Sequence, residues 1–240
     1  MRQKLQLRYV SLITFAAVLL AAGILASCDR GVAAPATPDA PPDLDRMHAD
    51  APGIDWYKGS AAAALASARS SNKPVLLYWG AQWCPPCKQL KSAVFNRPDF
   101  IEKSKLFVAV YLDGDLPDAQ KWGDVFRVTG YPTVVVLKSD GSEITRIAGN
   151  MDLSLYARVL DDALGDVRPV KDVLALATKA DAPLAAADCR RLAYHAFDLE
   201  DEGVFEPARL QVAFENAARL CPAQLVQERA RLYVLAAAEA

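Results

Sequence analysis

The stretch Trp83-Cys84-Pro85-Pro86-Cys87-Lys88 decides the fold of this chain, and it follows an apolar segment, Val75–Trp79. Two cysteines three residues apart face each other across the first turn of a helix, where a disulfide can open and close. The two prolines between them fix the backbone without breaking the helix, because an N–H in a first helical turn has no partner. Cys84 would lie at the helix N-terminus, where the macrodipole lowers a thiol pKa. The stretch therefore predicts Cys84 as the nucleophile and Cys87 as the resolving thiol.

A C-x-x-C pair can also be half of a zinc site. A structural zinc site needs four ligands, whereas the other candidate ligands, Cys189, Cys221, His48 and His195, are widely separated along the chain. The sequence therefore favours a redox dithiol and predicts no metal site.

A second motif, Thr129-Gly130-Tyr131-Pro132-Thr133, lies just before an apolar strand. Alone, it could be an ordinary turn. Together with the W-C-x-x-C-K run it resembles the cis-proline loop and active-site helix of the thioredoxin family, over about residues 54–165. The resemblance implies no cofactor besides a redox-active Cys84–Cys87 disulfide. It also implies active-site support by Trp83, Pro85, Pro86 and Lys88, and substrate binding by Tyr131 and Pro132.

One position departs from the family pattern. Thioredoxins place a buried aspartate six residues before the first cysteine, where it helps the resolving thiol to lose its proton, and here that position is Tyr78. The segment Phe107–Leu112 contains no lysine to pair with such an acid. The proton acceptor for Cys87 is therefore left open.

Hydrophobic patterning predicts the order βαβαβαββα, which is that of the thioredoxin fold. The fold class expected is α/β, a central mixed sheet flanked by helices, followed by a small C-terminal α-helical region. The predicted strands are Ile54–Tyr57, Val75–Gly80, Leu106–Leu112, Pro132–Lys138 and Glu143–Ile147, and the predicted helices are Ser60–Ser70, Pro85–Phe95, Pro117–Val128 and Asp152–Leu164. Asp113-Gly114-Asp115 lacks the further ligands of a calcium loop and is interpreted as a solvated loop.

The N-terminus reads as a secretory signal, with a basic start and an apolar run over Val10–Leu25. Leu25-Ala26-Ser27-Cys28 resembles the bacterial lipobox, which implies that Cys28 is lipidated and becomes the mature N-terminus. The alternative is an uncleaved signal anchor, but the apolar run is shorter than a typical spanning helix. Asp29 resembles the signal that retains enterobacterial lipoproteins in the inner membrane.

The predicted organisation is a signal peptide over 1–27, a lipidated cysteine and Ala/Pro-rich tether over 28–53, a thioredoxin-like domain over 54–166 and a helical region over 167–240. Removal of residues 1–27 would leave 24 Lys and Arg against 29 Asp and Glu. This acidic balance and the lack of a basic patch argue against nucleic-acid binding.

The C-terminal region shows two apolar stripes at helical spacing, and prolines 169, 183, 207 and 222 are candidates for first helical turns. The stripes are Ala185, Cys189, Leu192, Ala193 and Ala196, and Leu210, Ala213, Phe214, Ala217 and Cys221. Cys189 and Cys221 are either two buried thiols or, in an oxidising compartment, a structural disulfide. His195 is interpreted as a packed or surface residue.

Three functions fit these features. The first is an extracytoplasmic, membrane-anchored thiol–disulfide oxidoreductase that reduces client protein disulfides, supplied by a membrane or periplasmic electron donor and facing the periplasm. The second is a tethered scaffold that binds a partner through its C-terminal helices, with a regulatory dithiol. The third is Cu(I) delivery by the same two sulfurs, for which the sequence offers no Met-rich or His partner.

Overall fold

The computed structural model describes residues 53–199 and 205–240, and both ranges belong to one compact unit, Pro41–Ala240. The predicted signal peptide, Cys28 and nearly all of the tether lie outside the described residues. The strands are β1 (Val75–Gly80), β2 (Val108–Asp113), β3 (Thr133–Leu137) and β4 (Glu143–Ala148). The helices are α1 (Ala61–Ser71), α2 (Pro85–Leu90) with a π-helical turn (Lys91–Phe95), α3 (Pro98–Ser104), α4 (Pro117–Val125), α5 (Leu153–Gly165), α6 (Val170–Lys179), α7 (Ala186–Tyr194), α8 (Pro207–Leu220) and α9 (Val226–Ala238). A 3₁₀ turn spans Phe197–Leu199.

The four strands form a mixed sheet in the order β2–β1–β3–β4. β1 runs parallel to β2 and antiparallel to β3, and β3 and β4 form the predicted hairpin. Every residue of β1 is buried, because helices cover both faces of the sheet, as its continuous apolar run predicts. The expected α/β fold class, with a helical C-terminal region, is confirmed.

The predicted first strand, Ile54–Tyr57, is wrong as a strand. Trp56 makes a single parallel bridge to Ala109, and the Tyr57 N–H donates to the Ala109 carbonyl at 2.8 Å. The chain then turns at Gly59, whose φ is +152°, so that the Ser60 hydroxyl can cap α1 by accepting the Ala63 N–H. Because the chain turns here, its backbone pairing with β2 does not extend beyond one bridge.

The two faces of β1 belong to different hydrophobic clusters, because its side chains alternate between faces. Leu77 and Trp79 pack against the small residues of α1, and Leu76 and Tyr78 pack against the active-site helix and α5. The central strand is therefore fixed from both sides and holds the loop that follows it.

The predicted helix Pro85–Phe95 is regular only to Leu90. It continues as the π-helical turn and ends at Asn96, and Pro98 then begins α3, a helix that the sequence interpretation missed. Proline lacks an N–H and has a fixed φ, so it suits the first position of a helix. The wider turn brings Lys91 into the core, where its side chain is 3% exposed.

The C-terminal helices enclose a second hydrophobic cluster. The stripe on α8 is buried along its length, and Cys189 and Cys221 are joined by a disulfide with a Cα–Cα distance of 5.9 Å. Ala185, predicted in the other stripe, is exposed at the start of α7. Of the four prolines predicted to begin C-terminal helices, only Pro207 occupies a first helical turn, and prolines 169, 183 and 222 precede α6, α7 and α9.

The C-terminal region closes the outer edge of β4. The Ala196 N–H donates to the Arg146 carbonyl and the Arg146 N–H donates to His195 Nδ1, both at 3.0 Å. The buried Arg146 guanidinium pairs with the Glu143 carboxylate and donates to the Phe126 and Leu199 carbonyls. Because backbone and side-chain groups of β4 both find partners there, these helices are attached to the sheet itself.

The link between α5 and α7 is held by a second buried arginine. The Arg191 guanidinium donates to the carbonyls of Arg168, at 2.5 Å, and Asp166, at 2.6 Å. Desolvation lowers the pKa of Arg191, and the nearby Asp166 and Asp188 carboxylates oppose that effect. These bonds fix the connection that follows α5.

The burial of His195 predicts how the stability of the protein changes with pH. Burial lowers its pKa to about 4, with Arg146 and Arg191 acting in the same direction and Glu143 and Asp198 opposing. The unfolded histidine titrates near pH 6.5, so below that pH only the unfolded state gains the proton. The free energy of unfolding should fall as the pH drops from about 6.5 to 4, by up to about 3 kcal/mol, in urea titrations of the full chain in detergent.

The matched variant is His195→Asn, which keeps an acceptor close to the Nδ1 position and cannot titrate. Between pH 6.5 and about 5, above the range in which carboxylates titrate, its free energy of unfolding should be nearly flat. A wild-type profile that is flat between pH 6.5 and 4 would contradict a neutral, buried histidine.

Candidate active site

The two cysteines of the dithiol lie where the sequence predicts, at the start of α2. They form a disulfide with a Cα–Cα distance of 5.3 Å, and the Cys87 N–H donates to Cys84 Sγ at 3.2 Å. Cys84 is the N-cap residue and is 3% exposed, whereas Cys87 is fully buried. A sulfur that accepts a helix N-terminal N–H is favoured as an anion, so the geometry favours attack by Cys84.

The predicted proline loop packs against this pair. The Tyr131–Pro132 peptide bond is cis, and the half-buried Tyr131 ring contacts the buried cluster of Ala81, Cys84 and Cys87. The Thr133 hydroxyl donates to the Gly130 carbonyl at 2.8 Å and fixes the turn. The structure therefore brings together the two motifs that are about 45 residues apart in the sequence.

The predicted support residues differ in their surroundings. Trp83 is 65% exposed, Pro85 and Lys88 are exposed, and Pro86 is half-buried. Trp83 Nε1 donates to both Asp115 carboxylate oxygens, at 3.0 and 2.9 Å, and its ring lies 6.2 Å from that of Tyr131. The exposed indole is thus held in place at the rim of the dithiol.

The loop after β2 is part of the site, which the sequence interpretation missed. Gly114 donates its N–H to the Gly80 carbonyl at 2.9 Å, and its own carbonyl accepts the Tyr131 hydroxyl at 3.3 Å. The signal that could have shown this is the glycine between two aspartates at the carboxyl end of a central strand. A Cβ on Gly114 would lie 2.1 Å from Tyr131 Cζ, so only glycine leaves room for the ring.

The charge of this loop acts on Tyr131. Burial raises the pKa of its hydroxyl, and the Asp115 and Asp113 carboxylates raise it further. Tyr131 therefore stays a neutral phenol, which keeps its hydroxyl a donor to Gly114.

The side chains below the dithiol are aromatic. Tyr78 is fully buried, with ring centroids 5.0 Å from Phe95 and 5.4 Å from Tyr111. Lys91 Nζ lies 4.6 Å from the centre of the Tyr111 ring, a cation–π contact. Lys91 follows Cys87 by one helical turn and lies outside Phe107–Leu112, the segment in which the family pattern predicts a lysine.

Within residues 53–199 and 205–240, no group of His, Cys, Asp or Glu could hold a metal ion. The part of the chain that the structure describes also contains no helix long and apolar enough to cross a membrane.

A helix-terminal disulfide packed against a cis-proline loop, on this sheet, defines a thioredoxin-fold protein of the thiol–disulfide oxidoreductase class. Residues 61–164 match the family model of the thioredoxin-like domain. The chain is 32% identical over 94 residues to a thioredoxin of Mycolicibacterium smegmatis, covering 39% of this chain and 81% of that protein. It belongs to the thioredoxin family.

Other relatives are much longer than the matched region. The chain is 34% identical over 97 residues to the thiol:disulfide interchange protein DsbD of Pseudomonas fluorescens, covering 39% of this chain and 17% of that protein. The chain thus spans about a sixth of the length of that relative. Among solved structures, a thioredoxin from Thermus thermophilus matches with a TM-score of 0.41 and 26% identity over 48% of this chain and 94% of that one.

The close approach of Gly114 and Tyr131 predicts that a methyl group added at residue 114 lowers activity. Gly114→Ala should push the Tyr131 ring away from the dithiol and lower kcat/KM for a protein disulfide by about ten-fold, or about 1.4 kcal/mol. The fold should persist, because the displaced group is the end of a side chain. Insulin reduction and urea unfolding would measure both quantities.

The matched variant is Gly165→Ala at the end of α5, where an added Cβ meets nothing within 4 Å. It should reduce insulin at the wild-type rate. Equal rates for Gly114→Ala and the wild type would show that the position of Tyr131 does not matter to turnover.

Proposed function

We propose that this chain is a lipid-anchored, extracytoplasmic thiol–disulfide oxidoreductase that reduces disulfides in client proteins. The observation that carries the proposal is Cys84 at the N-cap of α2, where its sulfur accepts the Cys87 N–H and faces the loop of Tyr131 and Pro132. This arrangement supports the proposed roles of Cys84 as nucleophile, Cys87 as resolving sulfur and the proline loop as the surface for a substrate chain.

The reaction is an exchange of one disulfide for another. In the reduced protein, the Cys84 thiolate attacks one sulfur of the client disulfide, forms a mixed disulfide and expels the other client sulfur as a thiolate. The Cys87 thiolate then attacks Cys84 Sγ, re-forms the Cys84–Cys87 disulfide and expels the second client thiolate. Two electrons pass from the dithiol to the client, and a dithiol donor must return them.

The residue before the resolving cysteine supports the proposed direction. Pro86 precedes Cys87, as in the reducing thioredoxins that the motif resembles. The name of the DsbD relatives, thiol:disulfide interchange protein, is consistent with exchange between protein dithiols. We propose a membrane or periplasmic protein dithiol as the electron donor, and no cofactor besides the disulfide.

The side chains around the pair have separate roles in this proposal. Pro85 and Pro86 fix the first turn of α2, and the exposed Trp83 and Lys88 border the sulfur that the client approaches. Tyr131 and Pro132 would align the client strand. Cys189 and Cys221 would serve stability alone.

The location rests on the N-terminal sequence. Cys28 would carry the lipid anchor, and the Ala/Pro-rich segment up to residue 53 would hold the folded unit away from the membrane. Asp29 favours the inner membrane, with the enzyme facing the periplasm.

The trapping experiment follows from the two-step exchange. Cys87→Ser should accumulate mixed disulfides with its clients, because Cys84 can still attack but nothing resolves the product. Affinity capture of this variant from an envelope extract, resolved with and without reductant, would reveal the adducts and identify the clients. Wild-type protein should also reduce insulin.

The matched control is Cys84→Ser, which keeps the other cysteine and should give no adduct. The same adducts from both variants would contradict the assigned roles. Equilibration with glutathione tests the direction: a reduction potential near about −270 mV, as in thioredoxin, fits a reductase, and one near about −120 mV would make the protein an oxidant.

The anchor has its own test. Cells grown with labelled palmitate should incorporate label into the wild-type chain and not into Cys28→Ala, whose protein should leave the membrane fraction. Cys84→Ser, which keeps the lipobox, is the control and should be labelled. Label on Cys28→Ala would show that Cys28 is not the lipidated residue.

A further inference from the structure

The proline loop borders two cavities. One, of about 350 Å³, is lined by Trp83 and residues 128–131. The other, of about 560 Å³, shares residues 129–131 of that loop and is otherwise bounded by the end of β4 and by the C-terminal helices. Because Tyr131 also contacts the dithiol cluster, a chain bound at the dithiol can reach the larger cavity directly.

The inner wall of the larger cavity is apolar and partly aromatic. It contains Phe214, which is 1% exposed, and the half-buried Phe197 and Leu235. The Phe197 ring meets that of Phe214 edge-on, with centroids 5.2 Å apart. Such a wall suits a large apolar side chain, and an aromatic one best, because ring edges and faces attract each other.

The charge at this cavity is mainly negative. The side chains of Asp198 and Glu239 line it. The Arg231 guanidinium lines it too, but it donates to the Ala193 carbonyl and lies 5.3 Å from the centre of the Tyr194 ring. These contacts leave the guanidinium charged, so the lining carries two carboxylates and one cation, a net charge that still favours a basic group.

We propose that this cavity is a client-specificity subsite. It takes a large apolar side chain, preferably aromatic, within two residues of the client's reacting cysteine, and its carboxylates favour a lysine or arginine beside that side chain. The inference rests on the proposed function, since it concerns the same client chain. Tyr131 both contacts the dithiol cluster and lines the cavity. Two residues of extended chain span about 7 Å, so a side chain within two residues of the reacting cysteine is the one expected to enter the cavity.

The subsite is preformed by the contacts that attach the C-terminal helices to the sheet. Ala196 and His195 are bonded to Arg146 of β4, and Phe197 follows them directly. The aromatic wall is therefore held at a fixed distance from the proline loop, and binding needs little reordering. The C-terminal region thereby gains a role in choosing clients.

Two adjacent alanines at the end of α9 give a matched pair of variants. Ala238 and Ala237 are both exposed, and only Ala238 lines the cavity. Ala238→Trp should fill the cavity, whereas Ala237→Trp adds the same indole outside it. Neither change removes a buried contact, and circular dichroism would verify the fold of both.

The probes are short peptides with one internal disulfide and either Phe-Lys, Phe-Glu or Ala-Ala beside a cysteine. The rate constant for their reduction by the reduced full chain in detergent is compared with that for hydroxyethyl disulfide. Wild-type protein and Ala237→Trp should reduce the Phe-Lys peptide at least about ten-fold faster than the Ala-Ala peptide, and faster than the Phe-Glu peptide. Ala238→Trp should lose this preference and keep the wild-type rate on hydroxyethyl disulfide.

Two results would overturn the subsite: no preference in the wild type, or a preference that Ala238→Trp retains. In either case, normal reduction of hydroxyethyl disulfide would leave the proposed function standing. If hydroxyethyl disulfide itself is not reduced by wild-type protein, the proposed function fails and the subsite fails with it.

Discussion

The hydrogen bond from the Cys87 N–H to Cys84 Sγ is the constraint on which the redox end of this molecule depends. It requires a helix to begin directly at Cys84, separated by three residues from a strand that is buried on both faces. The strand supplies a fixed origin, the two prolines set the first turn, and the π-helical turn brings the following residues into the core. A sulfur at the end of this series is positioned by the whole sheet, so its reactivity does not depend on a mobile loop.

The surface around that sulfur is built from three separate segments that hold one another. The Trp83 indole is bonded to Asp115, the Tyr131 hydroxyl to Gly114, and Gly114 to the end of β1. Each contact joins a segment from a different part of the chain. The surface beside the dithiol is consequently held to the end of the sheet, and Cys84 itself is only 3% exposed.

Much of the fold could be predicted from the sequence, because strong local signals coincide with tertiary needs. The apolar run of β1, the C-x-x-C spacing and the Gly-Tyr-Pro string each correspond to one element of the structure. Two features were not predicted: the absence of a strand at Ile54–Tyr57 and the start of α3. They depend on changes of chain direction at Gly59 and Pro98, and hydrophobic periodicity carries no information about such changes. The sequence alone could not assign Gly114, Asp115 and Lys91. Their roles come from contacts with segments that are distant along the chain or that face them across the core.

The disulfide between Cys189 and Cys221 has a consequence for a protein that carries a reactive dithiol in the same chain. Exchange requires an attacking thiolate to approach one sulfur in line with the bond that breaks. Cys189 is fully buried and Cys221 is 5% exposed, inside the cluster formed by the C-terminal helices. Cys84 is itself only 3% exposed, so burial alone does not separate this bond from the reactive one. The helix ends separate the two bonds: Cys84 is the N-cap of α2, whereas Cys221 is the C-cap of α8. A helix dipole favours a thiolate at its N-terminus and disfavours one at its C-terminus, so expelling the Cys221 sulfur as a thiolate is the less favourable exchange.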